Sequence, residues 1–463
     1  MDLMSNFDAL QTAYKTAPYP SFSERQKVLL ALKAGLQNEA SHLIEAVNLD
    51  YGHRANSETF FEVFLALDTI RFCLKNLKSW MKDKKRKTPW YLKPAHAYLS
   101  PQPLGVVGII APYNYPIALS LIPIIYALAA GNRVMIKLSE SSKNLASALL
   151  LLLDKMELNQ HIYLTLGDLS KAEAFAALPF GHLLLTGSVA AGQNVMKIAS
   201  HNLTPITLEL GGKSPTVLSK TMNKDYFARL FIGKLLNAGQ TCIAPDYLLI
   251  PSGWEDMVKE ALQKCMATYY PNLMHNKDYS DIISTKQCQR LLDLVADAEN
   301  QGARVIRFGE YDPQSKRLPF YVLFGVTPAM RVMQEEIFGP VLAVLSYSTF
   351  DEAIEYINHA PNPLVIYYFG EDKMEIQALK TNTLSGALSI NDTMIHSMMN
   401  DLPFGGVGHS GMGCYHGQEG FDTFSQLKPI VVQSKLSLNP ILYPPYSKFV
   451  YFLLAKLNGI KLN

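Results

Sequence analysis

What most constrains this chain is an alternation of short apolar runs at strand length with longer runs at helix length. Gly105 to Ala111 reads as a buried strand, and Pro116 to Ala130 as a helix stopped by Gly131-Asn132. Arg133 to Leu138 is a second strand, Ser142 to Met156 a helix and His161 to Leu166 a third strand. His182 to Thr186 is a fourth, followed by a helix over Ala190 to Ala199. Strand, covering helix and strand make a parallel pair, so the pattern predicts a parallel sheet with helices on both faces. The alternation resumes between residues 214 and 400: Thr216 to Leu218, a helix from Phe227 to Ala238, Tyr247 to Ile250, Val341 to Tyr347 and Leu364 to Phe369. At 463 residues the chain is too long for one ordinary core. The fold class is therefore α/β, as two doubly wound units in series.

Ahead of the first strand, residues 21 to 80 repeat apolar side chains at helical spacing, notably Gln26 to Leu32 and Phe61 to Leu77. The basic run Lys82 to Lys87 before Pro89 is either a solvated linker or a contact for an anionic surface. Leu104 to Leu128 is the most apolar stretch. Its Pro112, Asn114, Pro116 and Pro123 fall in turn-like clusters, which fits strand, turn and helix better than a membrane span. Residues 1 to 19 hold no apolar core of export-signal length. A formal net charge of +2 gives no global reason to bind nucleic acid. Cys73, Cys242, Cys265, Cys288 and Cys414 form no Cys-x-x-Cys pair and no cluster with histidine, which argues against a disulfide framework or a metal site. Free thiols fit a reducing compartment, so a cytoplasmic location is expected.

Five segments carry candidate chemistry. In Asn237-Ala238-Gly239-Gln240-Thr241-Cys242 a cysteine follows an apolar helix and precedes a strand. It is either a small buried hydrophobe or a nucleophile in a loop where substrate can reach it. Glu209 ends an apolar run before Gly211-Gly212-Lys213. Burial would raise its pKa toward the range of a general base; the alternative is a strand-end carboxylate paired with Lys213 or capping a turn. Thr186-Gly187-Ser188-Val189-Ala190-Ala191-Gly192 joins a strand to a helix, and its glycines permit close approach of a phosphate to the helix N-terminus. It is not the usual three-glycine fingerprint. Asn114, between Pro112 and Pro116, is a turn residue or a side-chain amide held for an oxyanion. Glu335-Glu336-Ile337-Phe338-Gly339-Pro340 places paired acids beside an aromatic, suited to a ribose and a nicotinamide ring or to a plain polar turn.

In their order along the chain these segments resemble the aldehyde dehydrogenase superfamily, and within it the class 3 branch of fatty and aromatic aldehyde dehydrogenases. The resemblance runs from about Ser21 to the C-terminus. Its motifs are Tyr113-Asn114-Tyr115-Pro116, Lys137 with Glu140, Thr186-Gly187-Ser188, Glu209-Leu210-Gly211-Gly212-Lys213, Gly239-Gln240-Thr241-Cys242, Glu336-Ile337-Phe338-Gly339-Pro340 and Leu402-Pro403-Phe404-Gly405-Gly406-Val407-Gly408. The class 3 character lies in Gln240 to Tyr247 and Ser410 to Gly417. Two positions depart from the family: Tyr113 where Trp is common, and Leu138 where Pro is common.

The resemblance implies NAD(P)-dependent oxidation of an aldehyde, medium- or long-chain aliphatic or aromatic, to the carboxylic acid. It makes Cys242 the nucleophile, Asn114 and the Cys242 backbone N–H the oxyanion donors, and Glu209 the base that activates water on the thioester. It sets Lys137 and Glu140 at the adenosine ribose, Gly187, Ser188 and Gly192 along the pyrophosphate, and Glu336 and Phe338 at the nicotinamide half; NAD and NADP both fit. It implies a dinucleotide-binding domain at 1–82 and 104–208 and a catalytic domain at 209–400. A small β bridging and oligomerisation element at 83–103 and 418–436 would make a homodimer. The tail, 437–463, mixes aromatics and leucines with Lys448, Lys456 and Lys461. It either makes peripheral contact with a membrane surface or packs over the substrate entrance or the dimer partner. Two other readings remain compatible. A CoA-acylating dehydrogenase would usually lack the base that Glu209 supplies. A non-catalytic use of the fold would be marked by loss of Cys242, Glu209 or Asn114.

Overall fold

Ser21 and Glu24 cap each other's backbone N–H groups, and this reciprocal cap starts the helix Phe22–Tyr51. Gly52, at φ 92°, ends it in a conformation that glycine adopts without strain. A second helix, Asn56–Trp80, packs along the first. The computed structural model describes residues 2–437 and 443–461.

The first alternating segment builds a six-stranded sheet. In spatial order its strands are Gly411–Met412, Ile206–Leu210, His182–Gly187, Val106–Ile110, Arg133–Ser139 and Ile162–Gly167. All neighbours are parallel except the short Gly411–Met412 strand, which runs antiparallel to Ile206–Leu210. Chain order runs outward from Val106–Ile110 in one direction, then restarts beside it with His182–Gly187. Sheets of this kind bind ligands at the carboxyl ends of the strands where the order reverses. Val107 and Ile109 pack on one face of the sheet, Val106 and Ile110 on the other, as the two-residue strand period requires. The break expected at 208/209 falls inside strand Ile206–Leu210, so Glu209 belongs to this sheet.

The second segment builds a seven-stranded sheet, ordered Arg304–Phe308, Phe320–Phe324, Val341–Tyr347, Tyr247–Pro251, Pro215–Leu218, Val365–Phe369 and Ala387–Ile390. Only its edge strand Arg304–Phe308 is antiparallel to its neighbour. A third sheet, wholly antiparallel, joins Lys84–Arg86, His96–Pro103 and Ser425–Val432. The basic run Lys82 to Lys87 is therefore not a plain linker. Its middle pairs with Ala97–Leu99, and the Lys84 ammonium lies 3.0 Å from the Asp422 carboxylate. In the tail, Lys448–Leu457 forms a helix with Phe449, Tyr451, Phe452 and Leu457 exposed. No described helix is long and apolar enough to cross a membrane.

Candidate active site

The nucleophile candidate sits where a helix is broken by force. Helix Phe227–Leu235 stops three residues short of the expected Ala238, because Asn237 and Ala238 take left-handed conformations at φ 50° and 51°. Such residues typically cost about 1–2 kcal/mol each and persist only when their surroundings hold them. Here the Asn237 N–H donates to both Glu58 carboxylate oxygens at 3.0 Å. The Asn237 side-chain amide donates to the Asn114 carbonyl at 2.8 Å and to the Gln240 carbonyl at 3.3 Å. Gly239 follows at φ 75°, and a Cβ there would lie 2.4 Å from the Gly339 carbonyl oxygen, so only glycine fits. Gln240 ties the turn to the facing loop, donating to the Asp281 carbonyl and accepting the Ile283 N–H.

Cys242 comes next and lines a cavity of about 740 Å³ with Leu119, Ile122, Ile232, Met394 and Phe404. Among the cysteines it alone lines this cavity; Cys73, Cys265 and Cys288 are buried and Cys414 is half-buried. Burial, then the Glu336 and Glu209 carboxylates, push the thiol up to about 12. The backbone N–H groups of Cys242 and Ile243 pull the other way. The thiol therefore reaches the cavity wall with N–H donors beside it, while burial and the two carboxylates oppose its ionisation.

Asn114 is buried in the turn after strand Val106–Ile110. Its carbonyl is held by Asn237 and by the Tyr51 hydroxyl at 3.1 Å. Among the described residues nothing hydrogen-bonds its side-chain amide, which is left free for a ligand oxygen. Next to it, the Tyr115 and Thr241 hydroxyls meet at 3.0 Å, a second link between the two turns.

Glu209 is 2% exposed, and neither carboxyl oxygen has a hydrogen-bond partner among the described residues. Burial alone holds its pKa well above the ordinary carboxylate value. The pairing with Lys213 does not form. The Lys213 ammonium is ion-paired with Asp246 and donates to the Val332 and Glu335 carbonyls at 2.8 and 3.0 Å. An unpaired buried carboxyl is expensive to keep and acts electrostatically on the Cys242 thiol.

Glu336 lies over the double glycine: its Oε1 accepts the Gly212 N–H at 3.1 Å, and a Cβ on Gly211 would meet its Oε2 at 2.0 Å. Burial, with Asp246 second, pushes it up to about 8. Phe338, at φ 51°, stands edge-on to Tyr113 with ring centroids 6.1 Å apart. The Ile337 N–H donates to Asp246, and Arg290 donates to the Glu336 and Ile337 carbonyls, so Asp246 and Arg290 fix this loop. The class 3 motif had put Asp246 in view without showing what it does.

At the strand ends of the six-stranded sheet, Lys137 is buried, with its amine 3.9 Å from the exposed Glu140 carboxylate. Ser188 caps helix Val189–Ala199, its hydroxyl accepting the Ala191 N–H at 3.3 Å. The Gly192 N–H is bonded to the Ser188 carbonyl at 2.9 Å. That leaves the Val189 and Ala190 N–H groups for an anion. Gly192 is buried one turn in, where a Cβ would meet Leu210 at 2.7 Å, so its smallness lets the helix lie close on the strand. Gly187, by contrast, has no atom within 3.7 Å of a Cβ position. A cleft of about 880 Å³ runs from Val189 past Gly211, Gly212 and Glu336 to His409. Free N–H groups at a helix mouth, an open glycine, and a cation and carboxylate at a strand end fit a dinucleotide.

Sequence patterns overlooked Tyr51, Arg54, Glu58 and Glu62, which lie behind the two turns. Glu58 and Glu62 are spaced four apart, which puts them on one face of helix Asn56–Trp80, and Arg54 stands four residues ahead of Glu58 in the turn before that helix.

A family model described as the aldehyde dehydrogenase family matches residues 2–430. A Pseudomonas aeruginosa protein named probable coniferyl aldehyde dehydrogenase is 43% identical, over 97% of this chain and 95% of its own length. Aldehyde dehydrogenase family 3 member A2 of Pongo abelii is 38% identical, over 95% of this chain and 91% of its own. A solved structure, the substrate-bound state of Staphylococcus aureus AldH, superposes with a TM-score of 0.93 at 36% identity, covering 98% of this chain and 99% of that one.

Proposed function

The chain belongs to the aldehyde dehydrogenase family, in its class 3 branch, and from that premise we propose which of its residues do the chemistry. It is an NAD(P)-dependent, non-acylating enzyme that oxidises an aldehyde to the carboxylic acid. The observation that carries the assignment is an unpartnered, buried Glu209 carboxyl acting on a cysteine that lines an apolar cavity. Cys242 attacks the aldehyde carbon as thiolate. The oxygen that becomes anionic takes hydrogen bonds from the Asn114 amide and the Cys242 N–H, each worth about 3 kcal/mol. When bound, the nicotinamide of NAD or NADP supplies the hydride acceptor that turns the Cys242 adduct into a thioester. Glu209, deprotonated, then takes a proton from water, whose oxygen attacks the thioester carbonyl. The C–S bond breaks, the acid leaves and the sulfur recovers its proton.

The cavity wall is mainly aliphatic and aromatic, which suits a long alkyl chain or a substituted ring. A turnover screen of aliphatic aldehydes by chain length, with aromatic ones alongside and both cofactors, tests this. Each buried CH₂ is worth about 0.8 kcal/mol, so kcat/KM should climb about fourfold per added carbon until the cavity is full. A flat profile from the two-carbon aldehyde upward would contradict the reading.

Lys137 and Glu140 hold the adenosine ribose, Ser188 and the helix it caps the pyrophosphate, and Glu336 and Phe338 the nicotinamide half. A carboxylate at the ribose repels a 2′-phosphate by about 1 kcal/mol in solvent. Glu140→Gln should therefore shift the kcat/KM ratio toward NADP by about fivefold. An unchanged ratio would mean that Glu140 does not face the ribose.

We further infer a cytoplasmic homodimer, joined through the three-stranded sheet. The outer strand of that sheet, Ser425–Val432, exposes Val431 and Val432, and no strand among the described residues pairs with its outer edge. Light scattering should give the mass of two chains; a single-chain mass would contradict it. The tail helix, with Phe449, Tyr451 and Phe452 exposed beside Lys448 and Lys456, makes peripheral membrane contact. No described tail residue lines the cavity. Deleting residues 446–463 should weaken sedimentation with anionic liposomes and lower activity on long-chain aldehydes presented in them. Unchanged liposome binding would remove the membrane role.

A further inference from the structure

The two halves of the site hang from different sheets. Asn114 follows strand Val106–Ile110 of the six-stranded sheet, and Cys242 precedes strand Tyr247–Pro251 of the seven-stranded one. Neither sheet sets the spacing between the Asn114 amide and the Cys242 sulfur. Against both turns lies an ion cluster that no step above uses, buried at Arg54 and Glu62 and reaching the cavity wall only at Glu58.

Its centre is Arg54, in the turn between the two long helices, 0% exposed and flanked by the rings of Tyr51 and Tyr115 at 5.1 and 5.0 Å. The guanidinium lies 2.9 Å from Glu62 and 3.9 Å from Glu58. Each carboxylate also reaches a different half of the site. Glu62 Oε2 accepts the Ile117 and Ala118 N–H groups at 2.9 and 3.0 Å, which fixes the helix that starts directly after the Asn114 turn. Glu58 accepts the Asn237 N–H and the Ser280 hydroxyl, which fixes the left-handed turn ahead of Cys242. Tyr51 closes the arrangement: its hydroxyl bonds to the Tyr113 and Asn114 carbonyls at 3.2 and 3.1 Å and accepts from Asn237.

Taking one cation and two carboxylates out of water costs more than packing apolar side chains of the same volume. Stability gives little reason to keep such a cluster, whereas its outward hydrogen bonds converge on the two catalytic turns. We propose that Arg54, acting through Glu58, Glu62 and Tyr51, is a positioning residue that sets the Asn114 amide against the Cys242 sulfur. The proposal rests on the oxyanion and nucleophile roles given above. A misplaced amide weakens only the state that carries the oxyanion, so the loss belongs in the rate of adduct formation and not in KM.

The test uses the full chain and reads the pre-steady-state NADH burst and the aldehyde KM. Arg54→Met and Tyr51→Phe are each made alone and together with Asn114→Ala. Arg54→Met leaves two buried carboxylates without their cation and can fail to fold; Tyr51→Phe removes one hydroxyl and carries the test in that case. Asn114→Ala alone should slow the burst about 100-fold. Tyr51→Phe should slow it about tenfold with KM unchanged, and Arg54→Met at least as much. Added to Asn114→Ala, either change should cost less than about threefold more, because residues acting through one group are not additive. Losses that multiply, or a raised KM with an unchanged burst, would overturn the positioning role while leaving Asn114 as the oxyanion donor. An unchanged burst in Asn114→Ala alone would instead overturn the oxyanion reading, and the proposal with it.

Discussion

Replacing Cys242 with alanine should abolish aldehyde-dependent NADH formation, by about 10⁴-fold or more, while cofactor binding survives. The size of the effect follows from where the thiols are. The other cysteines are buried or half-buried and none lines the cavity that Cys242 faces, so no second sulfur can take over. The turns on either side are held by Glu58, Asn114 and Gln240 through backbone and side-chain groups that the substitution leaves in place. Turnover followed at the NADH absorbance, with cofactor binding followed by fluorescence, separates lost chemistry from lost folding. Substantial residual turnover would refute the nucleophile assignment.

The second large effect separates the half-reactions. Glu209→Gln should release one NADH per active site in a burst and then fall by about 10²–10⁴-fold in steady turnover. Neither carboxyl oxygen of Glu209 has a partner among the described residues, so an amide of nearly the same shape breaks none of their hydrogen bonds and the fold should tolerate it. A pH signature accompanies it. Burial holds Glu209 well above the ordinary carboxylate range. The base works only after losing its proton, so thioester hydrolysis should rise with pH through that raised value and be slow below it. The glutamine variant should lack this rise. Unimpaired hydrolysis in Glu209→Gln would place the base elsewhere.

Much of the architecture was readable from pattern alone. Strands such as Val365–Phe369 are continuous apolar runs, buried along their whole length as a sheet covered on both faces requires, and such runs are easy to see. The chemistry was readable only as alternatives. A glutamate before Gly-Gly-Lys can pair with the lysine or stay free, and the choice is made by Asp246, 33 residues from Lys213. The resemblance to a known family favoured the free carboxyl before the geometry did. The broken helix at Asn237 was only half legible: asparagine is a weak helix former that enters the left-handed region readily, but local pattern does not show what holds Ala238 there as well. It breaks because Glu58, 179 residues away, holds the Asn237 N–H. The strand within the basic run was hidden from local pattern, since lysines at an edge look like a linker, and only the resemblance put it in a β element; it pairs with Ala97–Leu99 and its Lys84 meets Asp422. For Glu209 and for Asn237 a contact between residues far apart in sequence decides the outcome, and local pattern does not carry it.

The claim on which the rest depends is that Cys242 carries the acyl group that Glu209 clears. The Glu209→Gln variant, mixed with aldehyde and NAD and quenched in acid, gives the direct measurement: intact mass, then peptide mapping. One added acyl group per chain is expected, found on the peptide that contains Cys242 and removed by hydroxylamine. No adduct, or an acyl group on any other residue, would contradict it.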